Sequence, residues 1–393
     1  SLTLVFLYLA SATGSKLDLW IRRLVSPLLS FPHAAAAFGL AFLIAPSGLL
    51  SRIISPELTG WERPPDILIV NDTWGLFLLF GLIVKEVPFL LLMSLAALPQ
   101  LQPRHRIEVA RTLGYRATIA WLKVIAPSLY PLVRLPVIAV IVFASATVDV
   151  ALILGPALPP TLSVRVLSWF NDPDLNLRFL AAAGSLLQLG VSLLAVAIWL
   201  VLEKFFSLLW QFWLSTGNRE TGESLAFALG RSAMPIVLLV IAGSLLALLI
   251  NAFAGPWRYP SALPSSWTIQ HWANSLSDLS IPFFNTVLIS VSSTLLALIV
   301  VVATLESERQ SGKGRSTAMW LLYLPLLIPQ LVFLFGIIVL TEFAGWQANL
   351  SLVIVGHLLF VLPYVFLSLY EAYRQLDPRW TQVASTLGAS PLK

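Results

Sequence analysis

The sequence predicts an all-α, polytopic membrane protein built from two homologous six-span halves, and three observations predict it. The first is composition: 58% of residues are hydrophobic, 11% are charged and the mean hydropathy is +0.86, against roughly 25% charged residues in an ordinary soluble domain. The second is the distribution of basic residues. The third is a short sequence that occurs twice, Val109-Ala110-Arg111-Thr112-Leu113-Gly114 and Val383-Ala384-Ser385-Thr386-Leu387-Gly388.

The apolar runs come first in the argument. After an incomplete one at 1–12, they lie at 24–45, 73–98, 124–154, 179–202, 232–254, 283–304, 317–340 and 350–371, which makes about nine spans of about 20 residues each. No stretch between them is long and polar enough for a soluble domain, so extramembrane work falls to other chains. The chain has no Cys, which excludes disulfides, thiol catalysis and Cys-ligated metals.

Charge sets the orientation. Taking alternate connections, 14–23, 100–123, 203–231, 305–316 and 372–393 hold 17 of the 24 Lys and Arg, against five in the opposite connections (Arg52, Arg63, Arg165, Arg178, Arg258) and two within spans (Lys85, Arg134). The positive-inside rule makes the rich side cytosolic. The net charge of +5 therefore marks a membrane side and gives no reason to expect nucleic acid.

The repeat extends beyond the hexapeptide. Each copy follows a Gln-Leu-x-Pro-Arg run, 100–104 and 375–379, and Pro32 with Gly39 matches Pro329 with Gly336, as Pro88-Phe89 matches Pro363-Tyr364. Residues 1–214 are then expected to form a first repeat whose first span is missing. A polar linker is expected at 215–231, and 232–393 are expected to form a second repeat whose last two spans are missing.

Each hexapeptide sits where the chain is too polar to cross lipid and too apolar for a free loop. Trp380, Val383, Ala384 and Leu387 share one helical face, as Val109, Ala110 and Leu113 nearly do. Gly114 and Gly388 end these short helices, at a position where positive φ is usual. Glu108 is expected in the first turns, where the helix dipole favours an acid.

These residues resemble the cytosolic loop of the transmembrane permease subunits of binding-protein-dependent ABC importers: Glu-Ala-Ala, three residues, Gly, nine residues, an aliphatic residue and Pro three positions on. Glu108, Ala110, Gly114, Val124 and Pro127 match, with Val109 for the first Ala; the second copy has Gln382, Val383, Ala384 and Gly388. Two such halves in one chain resemble the fused permeases of the ferric-iron and thiamine type. The resemblance implies a type I importer permease fold in the bacterial inner membrane, with no catalysis in this chain. Its implied partners are two copies of a cytosolic ABC ATPase, which bind the ATP and Mg²⁺, an extracytoplasmic solute-binding protein and membrane lipid. It also implies that each loop docks a coupling helix on an ATPase, through Glu108, Val109, Ala110, Leu113, Gly114 and Pro127 in one copy and Gln382, Val383, Ala384, Leu387 and Gly388 in the other. Gln382 cannot supply the charge-assisted hydrogen bond that Glu108 can, so the two contacts are expected to be unequal.

Ionisable groups within spans are functional candidates because each costs about 2.5–3.5 kcal/mol on insertion scales. Lys85 and Glu86 lie midway along 73–98, and His357 lies in the corresponding span of the second repeat. Either they line the translocation path, or they pair with neighbouring spans and lock the bundle. On an unbroken 124–154 helix, Asp149 lies about 35 Å beyond Ala126, near the outer interface, where it could meet substrate or a binding protein. The Trp- and Pro-rich outer connections could cap the bundle. Catalytic motifs are absent: Ser311-Gly312-Lys313-Gly314 lacks the spacing of a phosphate loop, and four scattered His residues have no metal-ligand spacing. The alternative function is a secondary transporter of two six-span halves, driven by an ion gradient through Lys85, Glu86 and Asp149.

Overall fold

A computed structural model describes residues 2–11, 16–217, 223–311, 328–347, 349–374, 376, 377, 379, 383 and 386–388. Among them every regular element is helical apart from one isolated bridge between Ala254 and Trp267. Among the described residues seven helical segments are long and apolar enough to cross a membrane: His33–Ile53, Leu76–Leu101, Ala117–Ala146, Leu177–Ser215, Ala228–Phe253, Gln270–Arg309 and Leu350–Tyr370. The expected span at 317–340 falls partly outside the described residues, and its described part belongs to a shorter helix, Gln330–Phe343. The chain packs as two units, Ser1–Ser275 and Leu276–Lys393.

The first unit contains α1 (Leu2–Ser11), α2 (Lys16–Leu29), α3 (His33–Ile44), α4 (Leu49–Ile53), α5 (Leu76–Ala97), α6 (Pro103–Thr112), α7 (Ala117–Ala120), α8 (Ala126–Ala146), α9 (Asp149–Leu154), α10 (Leu162–Phe170), α11 (Leu177–Ser215) and α12 (Glu223–Phe253). Its core joins Val5 and Tyr8 of α1, Val87, Leu90 and Leu91 of α5, Leu129 and Val133 of α8, and Met234 and Ile241 of α12. Lipid tails are as apolar as these side chains, so close packing rather than water exclusion holds the helices together. The α3 and α12 contact shows how close: a Cβ on Gly39 would lie 2.5 Å from the carbonyl oxygen of Ser244.

Two expected spans are broken. The run at 24–45 becomes α2 and α3, separated at Ser30 to Pro32. Phe31 precedes a proline, which disfavours helical backbone, and Pro32 then caps α3 at φ −57 and ψ 146. The run at 124–154 becomes α8 and α9, because Thr147 leaves the helix at ψ 138. A break inside a membrane is tolerated only where the freed backbone groups find partners. At this one the Ser163 hydroxyl donates to the Thr147 carbonyl at 2.7 Å, and the Gln188 amide to the Ser145 carbonyl at 2.9 Å.

Three helices outrun the apolar windows that predict them, α12 by starting at Glu223, inside the expected linker, rather than at 232. α11 continues from the expected end at 202 to Ser215, about 58 Å in all. It crosses Glu203 without fraying because Arg134 and Tyr130 of α8 both donate to Glu203 Oε2 at 3.0 Å. α13 (Gln270–Ser311) begins well before 283 and keeps Pro282 inside it.

The ends of the first unit opposite α6 are tied by Arg52. Its guanidinium is buried and donates to the carbonyls of Ser47, Arg258 and Ser261 at 2.9, 3.1 and 3.3 Å, with Trp257 stacked 4.4 Å away. Before α5, the Asp72 carboxylate accepts from the Leu76 and Phe77 amides at 2.8 and 2.9 Å. The second unit holds the greater part of α13, then α14 (Gln330–Phe343) and α15 (Leu350–Arg374), with Val301, Leu305 and Phe366 as its buried centre.

Candidate functional site

The first loop motif starts at a sharp corner. Gln102 is left-handed at φ 46, a rare conformation outside Gly, and Pro103 follows as a preset first residue of α6. α6 turns Ala110 inward, 5% exposed, and leaves Glu108, Val109 and Leu113 outward, the last two 50% and 60% exposed. The face that Val109, Ala110 and Leu113 were expected nearly to share is therefore split: Ala110 packs the helix down, and Val109 with Leu113 presents an apolar surface. Glu108 lies in the second turn of α6, five residues after Pro103, where the dipole acts on it less than in the first turn.

α6 ends as its composition requires. The Thr112 hydroxyl donates to the Val109 carbonyl at 2.7 Å, and Gly114 takes φ +86 so that its own amide and that of Tyr115 can reach Arg111 and Ala110. In the second unit the described part of the other copy repeats this closely. The Thr386 hydroxyl donates to the Val383 carbonyl at 2.7 Å, Gly388 has φ +81, and Val383 and Leu387 are 53% and 82% exposed. The start differs, since Asp377 accepts from the Arg379 amide at 2.9 Å. Gln382 and Ala384 lie outside the described residues.

Pro127, the last matching residue of the first motif, sits in the first turn of α8. Between it and Gly114 the chain forms a π-helical turn, Trp121–Ile125, in which the Ala126 amide bonds the Trp121 carbonyl. Lys123 in that turn is buried, a placement that sequence reasoning missed because it was counted among the basic loop residues. Trp121 is 1% exposed, packs edge-on against Phe6 with centroids 5.8 Å apart, and has no partner for its indole N–H among the described residues.

Lys85 and Glu86 are both buried and both serve the break before α3. The Lys85 ammonium donates to the carbonyl of Phe31 and, at 3.4 Å, to that of Leu29, which are groups the interrupted helix leaves over. Glu86 lies 3.3 Å from His33 Nε2 at the start of α3, and His33 in turn lies against Phe143 at 4.7 Å between centroids. His33 is the second residue that sequence reasoning missed; no spacing pattern singles it out. His33 and Lys85 border a cavity of about 20 Å³, enough for a water molecule, otherwise walled by apolar residues of α3, α5, α9 and α12 such as Leu40, Val150, Leu154 and Ile241.

The other two candidates stand apart from this cluster. Asp149 does not lie on a continuous outward helix: it is exposed at the start of α9, where its carboxylate accepts from the Thr147 hydroxyl at 3.0 Å. His357, on α15, is exposed and lies 3.2 Å from the Val353 carbonyl one turn earlier. Among the described residues no three His, Cys, Asp or Glu lie close enough to hold a metal ion.

Over 375 residues the chain is 29% identical to the inner membrane ABC transporter permease protein YnjC of Escherichia coli (strain K12), a match covering 93% of this chain and 64% of that protein. The chain thus spans less than two thirds of the length of this relative. No family model and no solved structure matches it. Seven span-length apolar helices among the described residues and an inner-membrane relative aligned along 93% of this chain make this a multi-pass inner-membrane protein.

Proposed function

We propose that the chain is a permease subunit of an ATP-driven importer, with 1–214 and 232–393 as its two repeats and 215–231 as the linker. It forms the translocation path, and its two loops dock on a pair of cytosolic ATPase subunits that bind the ATP and Mg²⁺. An extracytoplasmic solute-binding protein delivers the cargo, of the kind carried by ferric-iron and thiamine importers. One observation carries this reading: two stretches 274 positions apart share a sequence, a Thr-to-Val hydroxyl bond of 2.7 Å and a left-handed Gly, and both leave a Val and a Leu exposed. An exposed apolar pair on a capped, rigid turn is suited to a groove on a partner. The relative named as an ABC transporter permease supports the same reading.

The test is purification of the intact protein with its neighbouring gene products. A Walker-type ATPase should co-purify, and changing both Gly114 and Gly388 to Val should release it, because a β-branched residue at positive φ disrupts the turn. Absence of an ATPase, or unchanged assembly of the double variant, overturns the reading. The buried Lys85 and Glu86, with the partly exposed His33 beside them, favour a second one, a gradient-driven carrier. That reading requires transport in vesicles that contain no ATPase and a loss of transport on replacing Glu86 with Gln.

A further inference from the structure

We propose that Lys123 is a positioning residue that fastens the loop at 103–120 to the far end of α11, so that a push on the loop reaches that helix directly; the proposal rests on the coupling reading above. Pro127 has no N–H with which to meet the Lys123 carbonyl in an α-helical register. The chain before it widens into the π-turn instead, and π-turns recur at functional sites. The wide turn carries Lys123 inward, to 7% exposure. There its ammonium donates to the Trp213 carbonyl at 3.3 Å and lies 4.8 Å from the centre of the Trp213 ring and 5.6 Å from that of Tyr115.

One cation therefore touches the residue just after Gly114 and the last turn of α11. Among the described residues it has no carboxylate partner. A buried ammonium held by one carbonyl and two ring faces is stable only while all three stay in place, because each ring attracts it over a short range. α11 passes the connection onward: it is bonded again to α8 through Glu203 and through Gln188. Without Lys123 the loop would still reach the bundle through α1, α8 and the segment before α6, and the end of α11 would be free to lag behind.

Residues 1–393 include no Cys, so with any Cys elsewhere in the intact protein replaced by Ser, two spin labels can be placed at Arg111→Cys and Phe212→Cys, both exposed. The native label pair should give one narrow distance, the same in detergent alone and with ATPase subunits trapped by ATP and vanadate. Lys123→Met keeps the stem and removes the charge. It should broaden the distribution about twofold as the helix end frays, and shift it on trapping, while Lys123→Arg restores the native width. A native-like width in the Met variant, broadening that Arg fails to correct, or a native distance that changes on trapping would each overturn the proposal. If no ATPase associates at all, the coupling reading fails, and the widths in detergent still decide whether Lys123 fastens loop to helix.

Discussion

The ammonium of Lys85 is hydrogen-bonded to the carbonyl oxygen of Phe31, fifty-four positions earlier, at the point where α2 stops and α3 has not begun. A charge that a hydropathy scale counts as a cost is thereby the partner of backbone oxygens that would otherwise be stranded. Replacing Lys85 with Met should leave the Phe31 and Leu29 carbonyls unpaired and cost about 1–3 kcal/mol. Thermal unfolding of the protein in detergent, followed by tryptophan fluorescence, checks this. A melting temperature equal to the native one would show that the break does not depend on Lys85.

Gly39 should tolerate no larger residue. Its Cβ would lie 2.5 Å from a backbone oxygen of α12, which cannot rotate away as a side chain can. Gly39→Val is expected to force α3 and α12 apart at a cost of about 1–3 kcal/mol, while Gly190→Val, where nothing lies within 4 Å of the added Cβ, should change the melting temperature little. Equal effects would refute the close approach.

Asp72 gives the fold a dependence on acid. Burial pushes its carboxyl up, but the amides of Phe77, Leu76 and Trp74, with its own N–H, together outweigh this and hold it below the ordinary value. A group with a depressed folded pKa stabilises fully above its unfolded pKa, about 3.9 for Asp, and the contribution disappears as pH falls through the lower folded value. Asp72→Ala should cost about 1 kcal/mol at neutral pH, as loss of a helix cap does, and should flatten this part of the stability profile below about pH 4. A parallel acid profile in native and variant would count against the cap.

Arg52 should resist conservative exchange. Lysine keeps the charge but cannot send donors in fixed directions to three carbonyls while stacking on Trp257. Limited proteolysis should cut 255–269 faster in Arg52→Lys than in the native protein, and equal rates would show that the guanidinium fork is dispensable.

If the two loops grip ATPases, they should do so unequally. Glu108→Gln removes a charge-assisted hydrogen bond, worth about 1.5–3 kcal/mol, and should weaken ATPase association measured by titration. Gln382→Ala should have a smaller effect. Similar losses at both positions would sink the asymmetry.

The spans themselves were legible because long apolar runs leave little choice in lipid, where only helices satisfy their own backbone. Their interruptions were not. Ser30, Phe31 and Pro32 sit within a run that is apolar on average, so the window saw one helix where steric conflict before Pro32 makes two. Thr147 hides in the same way: its hydroxyl turns to Asp149 and its carbonyl to Ser163, and this local competition ends α8. Sequence marked Lys85 and Glu86 as costly residues, but the carbonyl that answers Lys85 exists only because of the break. The loop motif was readable down to its Gly, since Gly114 and Gly388 do take positive φ. The inward turn of Ala110 was not, because it depends on the π-turn that packs against α6.

α12 has a consequence for how this chain could be severed. By sequence it opens the second repeat, yet it packs with α1, α3 and α5 of the first. Cleaving the connection at 218–222 would therefore not yield two free-standing halves. The downstream fragment would begin with a helix whose natural neighbours lie on the upstream one, and each piece would carry the other's missing wall. Two polypeptides made from such a cut chain should find each other in the membrane and rebuild the packing of α12 on α1, α3 and α5.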